Sequence, residues 1–265
     1  MTQILLVGCG KMGGALLDGW LALGMAPRDI FVVDPEEAKH PSRAQVRVTG
    51  DVQSLPADLR PDVVVLAVKP QMMDAALPAY ARFAGAVYLT IAAGKPLAYF
   101  ARILGSGAAV VRAMPNTPAS VRRGMTVAVA NSVVAADQRK ICGDLLAAVG
   151  AIAWIEDEAH MDAVTALSGS GPAYVFLLAE VMAAAGVRAG LPEDLAARLA
   201  RETVVGAGEL LRQSSESPEQ LRRNVTSPGG TTFAALQVLM RDDGVGPLMG
   251  EAVAAATDRS RELAG

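Results

Sequence analysis

Ile4-Leu5-Leu6-Val7-Gly8-Cys9-Gly10-Lys11-Met12-Gly13 decides the fold of this chain. Its first four residues form a short, continuous apolar run, the pattern of a strand covered on both faces of a parallel sheet. The run passes straight into a Gly-x-Gly-x-x-Gly loop, and a helix-like segment follows over Gly13 to Leu23. In that context the first glycine makes the tight turn, the second lets a pyrophosphate approach the backbone, and the third packs helix against strand. The helix N-terminus adds amides and a dipole that favour phosphates. Gly8, Cys9, Gly10, Lys11, Met12 and Gly13 are therefore candidate dinucleotide contacts. The spacing by itself would also suit a glycine-rich structural turn; the strand before it and the helix after it supply the nucleotide-binding context.

Working outward, short strand-like runs alternate with helix-like segments. Ile30 to Val33, Val63 to Val68, Val87 to Ala92, Ala109 to Met114, Thr126 to Ala130 and Ile152 to Ile155 read as strands. Gln71 to Phe83, Pro96 to Leu104 and Ala136 to Val149 read as helices, with Pro96 in a first turn. This βαβ rhythm predicts a doubly wound α/β domain over residues 1–158. Beyond it only helices are expected: Met161 to Leu167, Pro172 to Ala189, Pro192 to Arg212, Pro218 to Asn224, Thr232 to Met240 and Val245 to Leu263. Residues 159–265 thus form an all-α domain, rich in small residues, that would bury more surface by pairing with another copy.

The 265 residues suffice for two ordinary domains, and at 52% hydrophobic but 4% aromatic the core is built from Ala, Val and Leu. A net charge of −3 without a basic stripe argues against nucleic acid. Cys9 and Cys142, the only cysteines, make no metal-ligand pattern and fit a reducing compartment, so no metal is expected. Nothing basic precedes the first apolar run, so no secretory signal is expected. Pro172 to Val187, interrupted by Glu180, falls short of a span of about 20 residues, so no membrane partner is expected either. A cytoplasmic protein is the resulting expectation.

Further candidates stand at strand ends, where ligands bind in open α/β sheets. Asp34 ends the second strand, where an acidic residue accepts from a ribose 2′-hydroxyl and disfavours a 2′-phosphate; this leans to NADH. Alternatively Asp34-Pro35 caps a turn, and His40, Arg43 and Arg47 nearby leave a phosphate partner for NADPH open. Ala67-Val68-Lys69-Pro70 either lines the nicotinamide side or is a solvated strand end. Ala92-Ala93-Gly94 lacks bulk, as close contact with a cofactor ring requires. In Met114-Pro115-Asn116-Thr117-Pro118, Asn116 is the candidate ligand contact; the segment also reads as a turn. Val225 to Thr232 carries Pro228, Gly229 and Gly230 with hydroxyls on both sides, and leads into a helix. It is either a carboxylate-binding loop or a Pro-Gly turn with a threonine cap.

The glycine loop, Ala67 to Pro70, Met114 to Pro118, the block Asp162 to Tyr174 containing Ser168-Gly169-Ser170-Gly171-Pro172, and Val225 to Thr232 occur in this order. Together, and essentially end to end, they resemble pyrroline-5-carboxylate reductase, the last enzyme of proline biosynthesis. The resemblance implies a Rossmann-like N-terminal domain and an all-α dimerisation domain interleaved with a second subunit, dimers that assemble into decamers of five, and reduction of 1-pyrroline-5-carboxylate to L-proline by NADPH or NADH. It places the substrate carboxylate at Ser227, Gly229, Gly230 and Thr231. It puts the Thr232 hydroxyl, the candidate catalytic group, near the substrate nitrogen, and it adds Glu158 and Asn224 as substrate contacts. Many members prefer NADPH, from which Asp34 departs.

Since the hydride comes from the cofactor and an imine accepts it best when protonated, no dedicated strong acid is needed. His160 receives no role. Ser168 to Gly171 is expected as a tight turn between helices rather than a nucleophile, for no histidine–carboxylate pair accompanies it. Two other readings are a 3-hydroxyacid dehydrogenase and a nucleotide sensor without turnover. The first uses a lysine in its helical half, where this chain has none after Lys140. The second is disfavoured by retention of both cofactor and substrate loops.

Overall fold

The computed structural model describes residues 2–36 and 46–264; His40 and Arg43 lie outside them. The chain divides into two compact units, Met1–Gly169 with Thr257–Gly265, and Ser170–Ala256.

The first unit follows the order β1 (Ile4–Val7), α1 (Lys11–Ala22), β2 (Ile30–Val33), β3 (Arg47–Thr49), β4 (Val63–Leu66), α2 (Met73–Ala76), β5 (Val87–Thr90), α3 (Leu97–Leu104), β6 (Val110–Met114), β7 (Gly124–Ala130), α4 (Ala136–Ala147), β8 (Gly150–Trp154) and α5 (Met161–Val164). One eight-stranded sheet runs β3-β2-β1-β4-β5-β6-β7-β8. From β3 to β6 it is parallel, with Val7 beside Val33 on one side and Leu66 on the other.

The apolar runs are continuous because both faces are covered. Ile4, Leu6, Val63, Val65 and Leu89 pack with Leu16, Leu17 and Trp20 of α1 and with Leu145 and Leu146 of α4. Leu5, Val7, Val64, Leu66 and Tyr88 pack on the opposite face with Met73, Leu77 and Phe100. The Trp20 indole donates to the Leu145 carbonyl at 2.9 Å, so the polar atom of the largest buried side chain is satisfied while tying α1 to α4.

Four features depart from the expectations. β7 is antiparallel to β6, because the connection 115–123 is too short for the crossover a parallel pair needs. The helix expected over Gln71 to Phe83 is broken into a 3₁₀ turn, α2, and a second 3₁₀ segment Leu77–Phe83. Pro78, which cannot donate its backbone nitrogen, sits at that break. Pro96 is the cap residue before α3 rather than a member of its first turn. Where a tight turn is expected over Ser168 to Gly171, a π-helical turn, Thr165–Gly169, takes in Ser168 and Gly169 and α6 begins at Gly171.

The second unit contains α6 (Gly171–Arg188), α7 (Glu193–Gln213), α8 (Pro218–Asn224), α9 (Thr231–Leu239) and the first turns of α10 (Val245–Ala264). Small residues bring α6 and α7 together: a Cβ on Gly186 would stand 3.2 Å from the Ala196 Cβ. Few apolar side chains are buried in return. Phe176, Leu177 and Leu178 of α6 and Val205 and Leu210 of α7 are exposed, Phe176 by 67%. Exposed apolar surface on that scale marks an interaction face. The run Glu158–Arg188 is long and apolar enough to cross a membrane by length and composition alone, a test that a helix of a soluble protein also passes.

The last turns of α10 return to the first unit, where the buried Ser260 hydroxyl donates to Asp162 Oδ1 at 2.7 Å.

Candidate functional site

In the first unit the parallel pairing of β1, β4, β5 and β6 sets their C-terminal ends along one edge of the sheet. That edge carries the Gly8 loop, Ala67 to Pro70, Ala92 to Gly94 and Asn116. β1 is flanked by β2 on one side and β4 on the other, so the chain reverses its direction of travel across the sheet there, where such folds hold their ligands.

The three glycines of the loop answer different demands. Gly8 has φ +87°, and a Cβ on it would lie 2.8 Å from the Ala67 carbonyl oxygen. A Cβ on Gly13 would run into the Gly8 carbonyl and reach within 3.1 Å of the Ala67 Cβ. The protein's own packing therefore requires both. A Cβ on Gly10 would meet no atom within 4 Å. Packing does not require that glycine, and the open space over it fits a pyrophosphate, which needs the bare backbone there. The fold also directs the α1 amides to this loop, so these residues suit a dinucleotide. Cys9 is buried with its side chain in the core, and its N–H donates to Asp34 Oδ2 at 2.5 Å. Met12 packs at the core margin and Lys11 is exposed.

Asp34 is buried, and its Oδ1 accepts the Glu36 N–H at 2.8 Å. Its carboxylate thus caps the turn after β2, as the alternative reading of Asp34-Pro35 has it, and also ties that turn to the glycine loop, which the sequence does not show. Arg47 stacks its guanidinium over the Phe31 ring at 5.3 Å. Lys69 is exposed at the end of the β4 segment, beside half-buried Ala67 and Val68, and Pro70 opens the next 3₁₀ turn. Ala92 is buried with its N–H donating to Thr90 Oγ1 at 3.2 Å, Ala93 is exposed, and Gly94 has φ +70°.

Asn116 is committed within the protein. Its Oδ1 accepts the Met125 N–H at 2.9 Å and its Nδ2 donates to the Ser168 carbonyl at 3.1 Å. It therefore locks the β6–β7 loop to the π turn; a Cβ on Gly169, in that turn, would crowd the Met114 methyl. Glu158 is committed as well: its Oε1 accepts from Arg112 Nη1 at 2.7 Å and from the Leu97 N–H at 2.8 Å. Neither Arg112 nor the Asp74–Tyr99 hydrogen bond of 2.8 Å was anticipated. Arg112 has a recognisable signal, a charge inside the otherwise apolar run Val110 to Met114; such a charge must be paired when buried. Tyr99 and, behind it, Lys95 hold the Asp74 carboxyl below the usual carboxylate range.

In the second unit α8 ends at Asn224, whose side chain donates to Glu216 at 2.9 Å and accepts from Gln220 at 2.7 Å. Ser227 to Gly230 then forms a β-turn closed by the Gly230 N–H donating to the Ser227 carbonyl at 3.0 Å. Pro228 stands at its second position and Gly229, with φ +68°, at its third, the arrangement of a type II turn. Gly230 precedes α9 and has no side chain to satisfy the amides of Thr231, Thr232 and Phe233. Ser227, Gly229 and Thr231 are exposed, and Gly230 and Thr232 half-buried. Of the expected substrate contacts, the structure brings Asn224, Ser227, Gly229, Gly230, Thr231 and Thr232 together in this unit and places Glu158 in the other. No group of three or more His, Cys, Asp or Glu among the described residues could hold a metal.

Comparison with known proteins accords with both halves. Residues 158–263 match the model for pyrroline-5-carboxylate reductase dimerisation, and residues 3–94 the model for NADP oxidoreductase, coenzyme F420-dependent. The chain is 43% identical to the pyrroline-5-carboxylate reductase of Pseudomonas aeruginosa, covering 99% of this chain and 97% of that protein. It is 41% identical to the same enzyme of a Synechocystis species, over 98% of each. A solved pyrroline-5-carboxylate reductase from Coxiella burnetii superposes with a TM-score of 0.93 at 35% identity, covering 99% of this chain and 98% of that one. With 43% identity over the full length and a dimerisation model spanning the helical half, the chain belongs to the pyrroline-5-carboxylate reductase family.

Proposed function

We propose a division of labour among this chain's residues for the reaction that it catalyses, the NAD(P)H-dependent reduction of 1-pyrroline-5-carboxylate to L-proline. NAD(P)H, when bound, supplies the hydride for the C=N carbon. Gly8 to Gly13 hold its pyrophosphate over the open face of Gly10, with the α1 N-terminus offsetting the phosphate charge. Ala67 to Pro70 and Ala92 to Gly94 line the nicotinamide side, and Asn116 serves by fixing the loop beside them.

The substrate carboxylate lies against the uncapped amides at the start of α9 and the hydroxyls of Ser227 and Thr231, with Asn224 and its partners holding the approach to the turn. Thr232 Oγ1 holds the proton on the substrate nitrogen, so that the nitrogen becomes an amine as the carbon gains hydride. The observation that carries this assignment is the pairing of a type II Pro-Gly turn with a helix whose first amides have no side-chain cap. A carboxylate satisfies those donors and gains from the helix dipole.

Asp34 makes NADH the better donor: its carboxylate, held at the end of β2 by the Cys9 and Glu36 N–H groups, sets a negative charge beside the glycine loop that opposes a 2′-phosphate. The solved pyrroline carboxylate reductase of Plasmodium falciparum, 28% identical with a TM-score of 0.84, has NADP bound, so members of this fold take the phosphorylated nucleotide as well. Nucleotide oxidation dependent on pyrroline-5-carboxylate, with kcat/KM compared for NADH and NADPH in wild type and Asp34→Ser, tests both points. Tight nucleotide binding without turnover overturns the activity; NADPH as the better donor with Asp34 intact overturns the reading of that position.

The chain self-associates through its dimerisation domain. We extend this to a decamer of five dimers working in the cytoplasm, which light scattering and cell fractionation test.

A further inference from the structure

We propose that the Arg112–Glu158 pair is a positioning device for the reaction: through the Leu97 N–H it fixes the Ala92-Ala93-Gly94 turn against which the nicotinamide is held. The proposal rests on the reading that residues 92–94 face the nicotinamide.

Arg112 stands in β6 directly beside Thr90 of β5, and it is 7% exposed. A buried arginine is costly unless paired, and its Nη1 lies 2.7 Å from Glu158 Oε1. The same oxygen accepts the first amide of α3 at 2.8 Å. Pro96, the residue before α3, offers no side-chain acceptor, so a carboxylate from a segment 61 residues away does the capping. A local serine or aspartate would cap the helix equally well. What the distant carboxylate adds is a fixed position for the start of α3 relative to the sheet.

The turn Ile91 to Pro96 is short and is held at both ends. At its beginning the Ile91 N–H donates to the Leu66 carbonyl and the Ala92 N–H to Thr90 Oγ1, both at 3.2 Å. At its end Leu97 is tied to Glu158. Its flank is braced by Lys95, whose ammonium lies 3.6 Å from Asp74 Oδ2 and 4.4 Å over the Tyr99 ring. The tip, exposed Ala93 and half-buried Gly94, carries almost no side chain, so its backbone position alone sets how closely a ring can approach. Glu158 and Arg112 are positioning residues: neither needs to touch a reactant.

Calorimetric titration of the full chain tests the proposal with two probes, NAD(P)H and ADP-ribose, or its 2′-phosphate if NADPH is preferred; the second probe lacks the nicotinamide. Glu158→Ala should weaken NAD(P)H about tenfold or more while moving ADP-ribose by less than about twofold, because only the ring end loses its support. Glu158→Gln keeps an acceptor for Leu97 and Arg112 and should stay within about threefold of wild type for both. Leu97→Pro removes the amide and leaves the ion pair intact. Proline is favoured at a first helical position, and Pro96 with ψ 163° already has the extended backbone that precedes proline, so the backbone accepts this variant; Leu97→Ala, which trims the same core-packed side chain but keeps the amide, should bind both probes like wild type. Leu97→Pro should repeat the nicotinamide-selective loss. Equal losses for both probes, or none, in Leu97→Pro and in any Glu158→Ala that folds would overturn the proposal. Ala93→Leu reads the underlying assignment separately. A selective loss of NAD(P)H there, with Leu97→Pro unaffected, leaves the turn facing the nicotinamide and removes only the positioning role. No selective loss in Ala93→Leu removes the assignment and the proposal with it.

Discussion

Replacing Gly10 with alanine should separate binding from folding in the nucleotide loop, and replacing Gly8 should do the reverse. Gly10 has φ −66° and ψ −161°, which any L-residue adopts, and its Cβ would meet nothing within 4 Å. Alanine is a poorer helix cap than glycine by about 0.5–1 kcal/mol, while the stiffer unfolded chain returns about 0.4–1 kcal/mol. The two nearly cancel, so Tm should stay within about 2 °C of wild type. A methyl at Gly10 nevertheless stands where the pyrophosphate meets the backbone. Losing one hydrogen bond to a charged group costs about 1.5–3 kcal/mol, roughly ten- to a hundredfold in Kd for NAD(P)H. Gly8→Ala places a side chain at φ +87° and 2.8 Å from the Ala67 oxygen. Backbone strain of about 1–2 kcal/mol and overpacking of about 1–3 kcal/mol lower Tm by roughly 4–20 °C. Differential scanning calorimetry gives Tm, and nucleotide fluorescence titration gives Kd. A Gly10→Ala protein that binds NAD(P)H within about twofold of wild type would refute the placement of the pyrophosphate across Gly10. One that melts as low as Gly8→Ala would refute the open space.

Thr232→Ala should lower kcat/KM for pyrroline-5-carboxylate by roughly ten- to a thousandfold with little change in nucleotide Kd, within the span of a positioned hydrogen bond or proton donor; unchanged steady-state kinetics remove Thr232 from the mechanism. Phe176→Glu puts a charge on an apolar side chain that is 67% exposed on α6. Sedimentation should show a smaller assembly, and an unchanged particle places the association surface elsewhere. Burial pushes the Cys142 thiol up to about 12. At pH 8.5 the thiolate fraction is then only about 3 in 10,000, so mass spectrometry should find Cys142 unalkylated by iodoacetamide in the folded protein and modified after unfolding.

The nucleotide half of the fold is legible because local and global signals agree there: Ile4 to Val7, the glycine loop and the following helix each point to the same unit. The limits have identifiable causes. β3 is three residues long, with no periodicity to read. The antiparallel step at β7 depends on the length of a loop rather than on the composition of a strand. Asp34 and Asn116 stand out in the sequence as polar residues at strand ends, but the N–H groups of Cys9 and Met125 that occupy them come from the tertiary fold. Glu158 shows the same limit most clearly. Its type and position suggest a ligand contact, and only the packing of β6 against α3 brings Arg112 and Leu97 to the same oxygen. The Pro-Gly-Gly loop, by contrast, is local, so its turn and helix start follow from residues 227–232 alone.

The return of the last turns of α10 to the first unit bears on synthesis. Asp162 leaves the ribosome long before Ser260, and residues 170–256 are made in between. At about 5–20 residues per second that interval lasts roughly 4–17 s. The nucleotide-binding unit is therefore completed only after the whole helical unit has been made, and a nascent chain arrested near residue 250 would carry the glycine loop and the substrate loop yet lack the contact between Ser260 and Asp162.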